Sequence, residues 1–268
     1  MKERKQTLLW RIEGAATPGP SYLFGTMHVR DRRAFGLLPP VQACIDRCAV
    51  FATEFDLDAV GLQFDPQLLL LPGGLTLDRL LGPRKYEKLR RMLLKSVGLD
   101  IHPFRDKQPI LLANMVDERI LARDMPYALD EMLWRYARSQ QKRLTGIETY
   151  GEQLAILGKI PVRQQAAALL AIGRHVARHR RHLKTMTRLY EEGRIGALYR
   201  ASRRGAEGLR HLLIDDRNEV MAHRIGRLMR DSTAVCAVGA GHLAGSKGLL
   251  RLLKHQGLRV YPEPMPAL

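Results

Sequence analysis

Two segments near opposite ends of the chain share one plan, in which an apolar strand is followed by glycine, two further residues and histidine. They are Tyr22–His28 (Tyr-Leu-Phe-Gly-Thr-Met-His) and Ala237–His242 (Ala-Val-Gly-Ala-Gly-His). A glycine at the end of a strand permits a tight turn and a close approach of the backbone. The repeated plan predicts two strands whose histidines are turned back over the edge of a sheet.

Two more apolar segments of strand type end on a carboxylate, at Glu54 and at Glu148. The chain also begins with the pattern of a β-hairpin and ends with a strand–turn–helix–strand pattern. These elements are predicted at Leu8–Ile12, Ser21–Phe24, Ala49–Glu54, Arg143–Glu148, Thr233–Val238, Lys247–His255 (the helix) and Leu258–Tyr261.

Between the strands, apolar residues recur at helical spacing in two blocks, about 66–139 and about 150–230. We therefore predict an α/β fold with a central mixed β-sheet flanked by helices, the two Gly-x-x-His turns near both ends, and large helical insertions in the middle. Residues 1–268 are predicted to form a single domain, with both blocks inserted between strands of the sheet.

The chain is strongly basic, with a formal net charge of +17. From Val162 to Arg230 there are sixteen Lys and Arg against six Asp and Glu. Such an excess is typical of solvated helix faces in a high-pI background, and also of proteins that bind an acidic partner, an anionic membrane surface or nucleic acid. We rank the solvated faces first and nucleic acid second, because aromatic residues make up only 6% of the chain.

Three cysteines, Cys44, Cys48 and Cys236, are too few for a disulfide framework, so we expect reduced, buried thiols. The charged start, Met1–Gln6, is followed by no apolar stretch of signal-peptide length. No stretch of the chain approaches the roughly 18 to 20 apolar residues of a membrane span. These patterns predict a soluble cytoplasmic protein without a transmembrane segment.

The four predicted strand ends carry two imidazoles and two carboxylates: His28, His242, Glu54 and Glu148. In open α/β sheets, functional groups gather beyond the carboxyl ends of the strands. Such a nitrogen and oxygen set suits a divalent metal such as Zn, Mn or Co, with a metal-bound water as nucleophile and a spare glutamate as general base. In the structural alternative, the histidines are satisfied structural residues and the glutamates cap helices.

Further along the chain, Arg217 begins a predicted helix, where it would either cap and pack or reach an oxyanion or a site carboxylate. Nine short segments occur in order nearly from end to end of the chain: Leu9-Trp10, Gly25-Thr-Met-His28, Pro39, Thr53-Glu-Phe-Asp56, Asp130-Glu-Met-Leu133, Gly146-Ile-Glu-Thr149, Glu152-Gln153, Arg217-Asn218 and Val238-Gly-Ala-Gly-His-Leu-Ala-Gly245. As an ordered set they resemble the TraB/GumN family, part of the wider TraB/Tiki superfamily.

The resemblance implies an α/β architecture shared with erythromycin esterase-like proteins, and relatedness to the Tiki metalloproteases. It implies that His28 and His242 are metal or active-site histidines and that Glu54 and Glu148 are their acidic partners. Asp130 and Arg217 also match family positions, and the resemblance suggests that Asp130 orients a histidine. Many family members begin with a signal peptide or a lipid anchor. The start of this sequence shows neither pattern and departs from the family in this respect.

Three hypotheses follow for the function. The first is a metal-dependent hydrolase, most simply a peptidase, that binds Mn, Co or Zn through the histidines with help from Glu54 or Glu148. The second is an esterase-like hydrolase that uses the same histidine and glutamate side chains directly as acid–base groups. The third is a non-enzymatic basic binding protein, whose affinity for nucleic acid or an acidic partner would fall steeply with salt.

Overall fold

The computed structural model describes residues 7–59, 66–205 and 211–263. The charged start, Met1–Gln6, lies outside the described residues. Six strands occur in the described part: β1 (Leu9–Glu13), β2 (Ser21–Thr26), β3 (Val50–Phe55), β4 (Arg143–Glu148), β5 (Ala234–Gly239) and β6 (Arg259–Pro262).

The described helices are α1 (Leu38–Arg47), α2 (Leu77–Leu81), α3 (Pro83–Val97), α4 (Pro109–Ile120), α5 (Leu129–Ser139), α6 (Tyr150–Gly158), α7 (Val162–Arg174), α8 (Val176–Glu191), α9 (Ile195–Gly205), α10 (Asp216–Asp231) and α11 (Leu249–His255). A π-helical turn, His211–Asp215, immediately precedes α10. None of these helices is both long and apolar enough to cross a bilayer.

All six strands form one sheet in the order β4-β3-β5-β2-β1-β6. Strands β4, β3, β5 and β2 run parallel to one another, whereas β1 is antiparallel to both β2 and β6. Parallel strands in the middle of a sheet are covered on both faces, so their sequences are continuous runs of apolar residues. Strand β2 and the first five residues of β5 are accordingly fully buried. The predicted mixed α/β sheet is confirmed.

The order of the strands creates a topological switch point between β3 and β5. The chain leaves β3 toward β4, on one side, and leaves β5 toward β6, on the other. Open α/β sheets bind ligands in the crevice beyond the carboxyl ends of two such strands, because the outgoing connections diverge there.

The structure sets the helix boundaries more finely than the predicted helical blocks. Pro39 lies inside the first turn of α1, a position where proline loses no helical hydrogen bond. Within the first predicted helical block, α4 ends at Ile120, and the amide of Met125 donates to the carbonyl of Arg30 at 3.0 Å. The second helical block also breaks at His175, between α7 and α8, two residues after Gly173.

The chain divides into two compact units. Unit 1 comprises residues 1–62, 124–150 and 186–268 and contains the sheet, and unit 2 comprises residues 63–123 and 151–185. The interior of unit 1 is built on strand residues such as Leu23, Phe24, Phe51 and Val235. Unit 2 has an apolar core of its own, which includes Leu77, Tyr86, Leu89, Leu93, Ile101, Leu112, Val116 and Leu169. The single domain of residues 1–268 stays a prediction.

Candidate active site

The four parallel strands bring all four predicted strand-end residues to one edge of the sheet. Glu54 is the penultimate residue of β3 and Glu148 is the last residue of β4. Thr26 of β2 is paired with Gly239 of β5, so the two Gly-x-x-His turns leave adjacent strands at the same level. The sequence therefore predicted the placement of these residues, because parallel strands present their carboxyl ends on the same side.

Glu54 lies at the switch point and is held there by the strand next to its own. The amide of Gly239 donates to Glu54 Oε1 at 2.7 Å. A Cβ on Gly239 would lie 3.0 Å from the same oxygen, so a larger residue would crowd this bond. The glutamate side chain is 22% exposed, which leaves it accessible at the edge of an otherwise buried cluster.

Arg217, at the start of α10, joins the two glutamates. Its Nη2 donates to Glu54 Oε2 at 2.5 Å and to Glu148 Oε2 at 2.6 Å, while its Nε donates to both oxygens of Glu148 at 3.1 and 3.2 Å. Burial lowers the pKa of the guanidinium, but the two carboxylates outweigh burial and raise it above its ordinary value. Arg217 therefore contacts site carboxylates, the role that the sequence left open against capping and packing.

His242 is buried and its ring orientation is fixed by Asn218, the residue after Arg217. The Asn218 Nδ2 donates to the carbonyls of Lys247 at 2.7 Å and His242 at 3.3 Å, so its Oδ1 must face the ring and accept. Oδ1 lies 2.7 Å from His242 Nδ1, which must therefore carry the proton. The neutral ring then presents the lone pair of Nε2, which lies 3.8 Å from Glu54 Oε1.

The electrostatics of this pair favour a neutral imidazole beside an ionised carboxylate at neutral pH. Burial lowers the pKa of His242 to about 4, assisted by the positive charge of Arg217 and opposed by Glu54. For Glu54, burial acts in the raising direction, but the protonated form of the His242 ring, the guanidinium and the Gly239 amide outweigh it and bring the pKa to about 2. His242 is thus a base that stays unprotonated over the physiological range.

His28 has a different environment, since its side chain is 69% exposed. Its Nδ1 lies 2.8 and 2.9 Å from the two carboxylate oxygens of Asp130, in the first turn of α5. A carboxylate only accepts, so Nδ1 carries the proton here as well, and Nε2 is the acceptor nitrogen of the neutral ring. This contact matches the orienting role that the family resemblance suggests for Asp130.

The two Gly-x-x-His turns pack directly against each other. A Cβ on Gly25 would lie 2.6 Å from Leu243 Cδ1 and 3.2 Å from the Cα of Ala240, both beyond the end of β5. Gly25 has no positive φ, so close approach, and not a tight turn, explains the glycine. The buried hydroxyl of Tyr190 in α8 also donates to the Gly25 carbonyl at 2.7 Å, which fixes the turn that bears His28.

The predicted metal ligands fit a metal only in part. Both imidazoles donate Nδ1–H to an oxygen of another side chain, as ligating histidines do. The two glutamates do not fit, because Arg217 already places a cation between them. Within residues 7–59, 66–205 and 211–263, no group of three or more His, Cys, Asp and Glu side chains has the arrangement of a metal site.

The sequence did not assign a role to Asn218, to the Gly239 amide or to Tyr190. The signals for Asn218 were the match of Arg217-Asn218 to a family segment and its position beside Arg217 at a helix start, which brings neighbouring polar groups toward one end of the sheet. A backbone donor such as Gly239 N–H leaves no signature in residue types. Tyr190 lies in a block of helical periodicity where a tyrosine is typical of packing.

The fold and these contacts define a class of protein: an α/β protein with a buried imidazole, two carboxylates and a guanidinium at the carboxyl ends of parallel strands. The model of the TraB/PrgY/gumN family matches residues 8–262, and the chain belongs to that family. The resemblance given by the motifs is thereby confirmed, while the Tiki-like relationship stays a prediction. No curated protein and no solved structure matches the chain.

Proposed function

We propose that this protein is a hydrolase of ester or peptide bonds in which His242 activates the attacking water. The observation that carries the proposal is the buried, neutral imidazole of His242, whose tautomer is fixed by Asn218 and whose Nε2 faces an ionised Glu54 at 3.8 Å. That separation is too long for a direct hydrogen bond, but a water at about 2.8 Å from both His242 Nε2 and Glu54 Oε1 would donate to both atoms and bridge them.

In this mechanism, His242 Nε2 removes a proton from the water as it attacks the carbonyl carbon. The resulting imidazolium is stabilised by the Glu54 carboxylate beside it and by Asn218 Oδ1, which continues to accept from Nδ1. Arg217 orients both carboxylates and helps to keep Glu54 ionised. The His242 imidazolium then returns this proton from Nε2 to the leaving group, which balances the step. His28, exposed on the adjacent turn and paired with Asp130, is assigned to contact the substrate.

A second candidate is the metal-dependent peptidase, favoured by one specific observation. Both His28 and His242 carry the Nδ1 proton and direct it to Asp130 and Asn218, which leaves Nε2 as the coordinating nitrogen in each ring. A divalent cation held by these two imidazoles would supply Lewis-acid polarisation of the substrate carbonyl. Here the glutamates would remain bound to Arg217.

A hydrolase screen on wild type and three variants tests the proposal. Purified wild type, His242→Gln, Glu54→Gln and the control His223→Gln, an exposed histidine on α10, are incubated with p-nitrophenyl esters and internally quenched peptides. We expect loss of hydrolysis in the first two variants and wild-type rates in the control. A wild-type rate in His242→Gln would refute the proposed base.

Metal analysis of the same samples separates the two candidates. Hydrolysis that survives prolonged chelation supports the acid–base mechanism. Hydrolysis that chelation abolishes and Mn, Co or Zn restores, together with bound metal in wild type that is absent from a folded His28→Ala/His242→Ala variant, supports the metal-dependent peptidase instead.

A further inference from the structure

The positive charge of the chain is concentrated in unit 2, whereas the residues proposed for hydrolysis belong to unit 1. Unit 2 contains eighteen Lys and Arg and eight Asp and Glu, an excess of ten within the chain's net charge of +17. Residues 153–190, which include α7 and most of α8, contain no Asp or Glu at all. Charge of one sign on this scale creates a field that attracts anionic surfaces.

Part of this charge forms an ordered row on α3. Arg84, Lys88, Arg91 and Lys95 have the spacing i, i+4, i+7 and i+11, which places them on one helix face over roughly 16 Å. All four side chains are exposed. The opposite face of α3 is the core face of unit 2, formed by Tyr86, Leu89 and Leu93. We call these four residues the α3 basic row.

The α3 basic row is not neutralised by neighbouring carboxylates. The two nearest acidic residues in the sequence, Glu87 and Asp100, both pair with Arg90 on another face of the helix, at 3.8 and 2.7 Å. Across the part of the chain that the structure describes, no carboxylate oxygen lies within 4.0 Å of a nitrogen of the four row side chains. Their charge is therefore directed to solvent.

A second basic helix meets α3 near the end of the row. Arg180 of α8 donates from Nη2 to the carbonyl of Ser96, the residue after Lys95, at 3.0 Å. The neighbouring Arg178, Arg181 and Lys184 are exposed on α8. The basic surface of unit 2 thus extends from one helix to the next.

An exposed leucine accompanies the row. Leu94 is 49% exposed, the largest value among the large hydrophobic side chains of the described residues. It is the i+3 neighbour of Arg91 and directly precedes Lys95, so it lies beside the row on the surface of the helix. Of the aromatic side chains of unit 2 that are described, Tyr86 is buried and Phe104 is partly buried, so neither is presented for base stacking.

From these observations we infer that unit 2 docks on an anionic lipid bilayer surface through the α3 basic row. Lys and Arg side chains near such a surface contribute about 1 kcal/mol each by attraction to acidic headgroups. An apolar side chain among them finds a partner in the acyl boundary of a bilayer but none in a phosphodiester backbone. The exposed Leu94, and the lack of an exposed aromatic among the described residues of unit 2, therefore favour the membrane surface over nucleic acid.

Vesicle co-sedimentation tests this surface independently of any hydrolase activity. The full chain is mixed with vesicles of pure phosphatidylcholine or of an equal mixture of phosphatidylcholine and phosphatidylglycerol. The row variant replaces Arg84, Lys88, Arg91 and Lys95 with Gln. The matched control replaces four exposed basic residues of unit 1, Arg143, Arg227, Arg251 and Lys254, with Gln and so removes the same charge.

We expect wild type to bind the anionic vesicles only, and binding to weaken as salt is raised. The row variant should lose roughly two to three orders of magnitude in partition coefficient, whereas the control variant should stay close to wild type. Leu94→Ser should weaken vesicle binding several-fold. Circular dichroism confirms that each variant is folded.

Three results would overturn the inference. The first is wild-type binding by the row variant, and the second is an equal loss in the control variant, which would indicate net charge instead of a surface. The third is binding to duplex DNA that depends on the row and is unchanged in Leu94→Ser, without preference for anionic vesicles, which would assign the row to nucleic acid.

Discussion

The chemistry proposed for His242 depends on one buried amide. Asn218 is fully buried and precedes the histidine by 24 positions in the sequence. Its Nδ2 donates two hydrogen bonds to carbonyls, and these fix the side-chain amide so that Oδ1 faces His242 Nδ1. Because that oxygen accepts from Nδ1, the neutral ring has its lone pair on Nε2, toward Glu54. The role of the histidine is thus fixed by a residue that itself need not touch a substrate.

Replacing the amide with a carboxylate tests this arrangement. In Asn218→Asp, a negative charge beside Nδ1 would stabilise the imidazolium, so the pKa of His242 should rise from about 4 toward or above its ordinary 6.5. Nitrogen chemical shifts of labelled histidine, followed against pH, report both the tautomer and the titration midpoint. The control is Asn114→Asp on the exposed face of α4. An unchanged midpoint in Asn218→Asp would contradict the assigned contact.

Arg217 is the second residue on which the site depends. The change Arg217→Met would leave Glu54 and Glu148 buried without their common cation, which typically costs about 3 to 5 kcal/mol of unfolding free energy. In wild type, the lowered pKa of Glu54 stabilises the fold above its ordinary pKa of 4.5, and this contribution is lost as the pH falls through about 2. In the variant, burial without the cation raises that pKa.

The loss of unfolding free energy in Arg217→Met should therefore be largest at neutral pH. It should be smaller at pH near 5, where a Glu54 carboxyl with a raised pKa is partly protonated. Urea unfolding of wild type, Arg217→Met and the exposed control Arg227→Met at the two pH values measures this difference. A deficit that is the same at both values would show that the carboxylates do not require the guanidinium.

At the scale of elements, the site is assembled by strand ends and by the two turns that follow β2 and β5. The switch point between β3 and β5 opens the space in which Glu54 accepts from the Gly239 amide. Close packing of the turns demands glycine at position 25, whereas Gly241 has open space around its Cα. Gly25 in the first turn and Gly241 inside the second turn therefore differ in their need for glycine.

The glycine pair gives a matched test of turn packing. Gly25→Ala would place a methyl group 2.6 Å from Leu243 Cδ1 and 3.2 Å from Ala240 Cα, so we expect a loss of about 1 to 3 kcal/mol in unfolding free energy. Gly241→Ala meets nothing within 4 Å and has no positive φ, so its effect should stay within about 0.5 kcal/mol. Equal stabilities for the two variants would contradict the close approach of the turns.

At the scale of the whole molecule, the three thiols report on the integrity of the sheet unit. Cys44, Cys48 and Cys236 are all buried and unpaired, as the sequence predicts. Burial raises the pKa of Cys44 to about 12 and that of Cys48 to about 11, and it raises the pKa of Cys236 as well. Inaccessible thiols with raised pKa values react slowly with thiol reagents.

We therefore expect Ellman's reagent to modify the native protein several orders of magnitude more slowly than the protein in denaturing urea. Ser139→Cys, on the exposed end of α5, supplies an accessible reference thiol in the same protein. If the three native cysteines react as fast as the reference thiol, the sheet unit opens much more readily than its buried strands indicate.

The sequence by itself determined the elements and the edge at which the site lies. Apolar runs fix β2 and β5 as interior strands, and glutamates at the ends of β3 and β4 fix where carboxylates emerge. These features are local, since side-chain periodicity and strand direction are set within a few residues. For the same reason the α/β class and the family followed from the sequence.

Only the tertiary structure decided how those groups pair. The sequence left Glu54 and Glu148 as ligands or bases, but the guanidinium of Arg217, more than 60 positions away from either, binds both. It also left the roles of Asn218 and the Gly239 amide unassigned. Pairings of this kind depend on strand order and on the angle at which α10 arrives, and these are set by packing across the whole sheet instead of by local spacing.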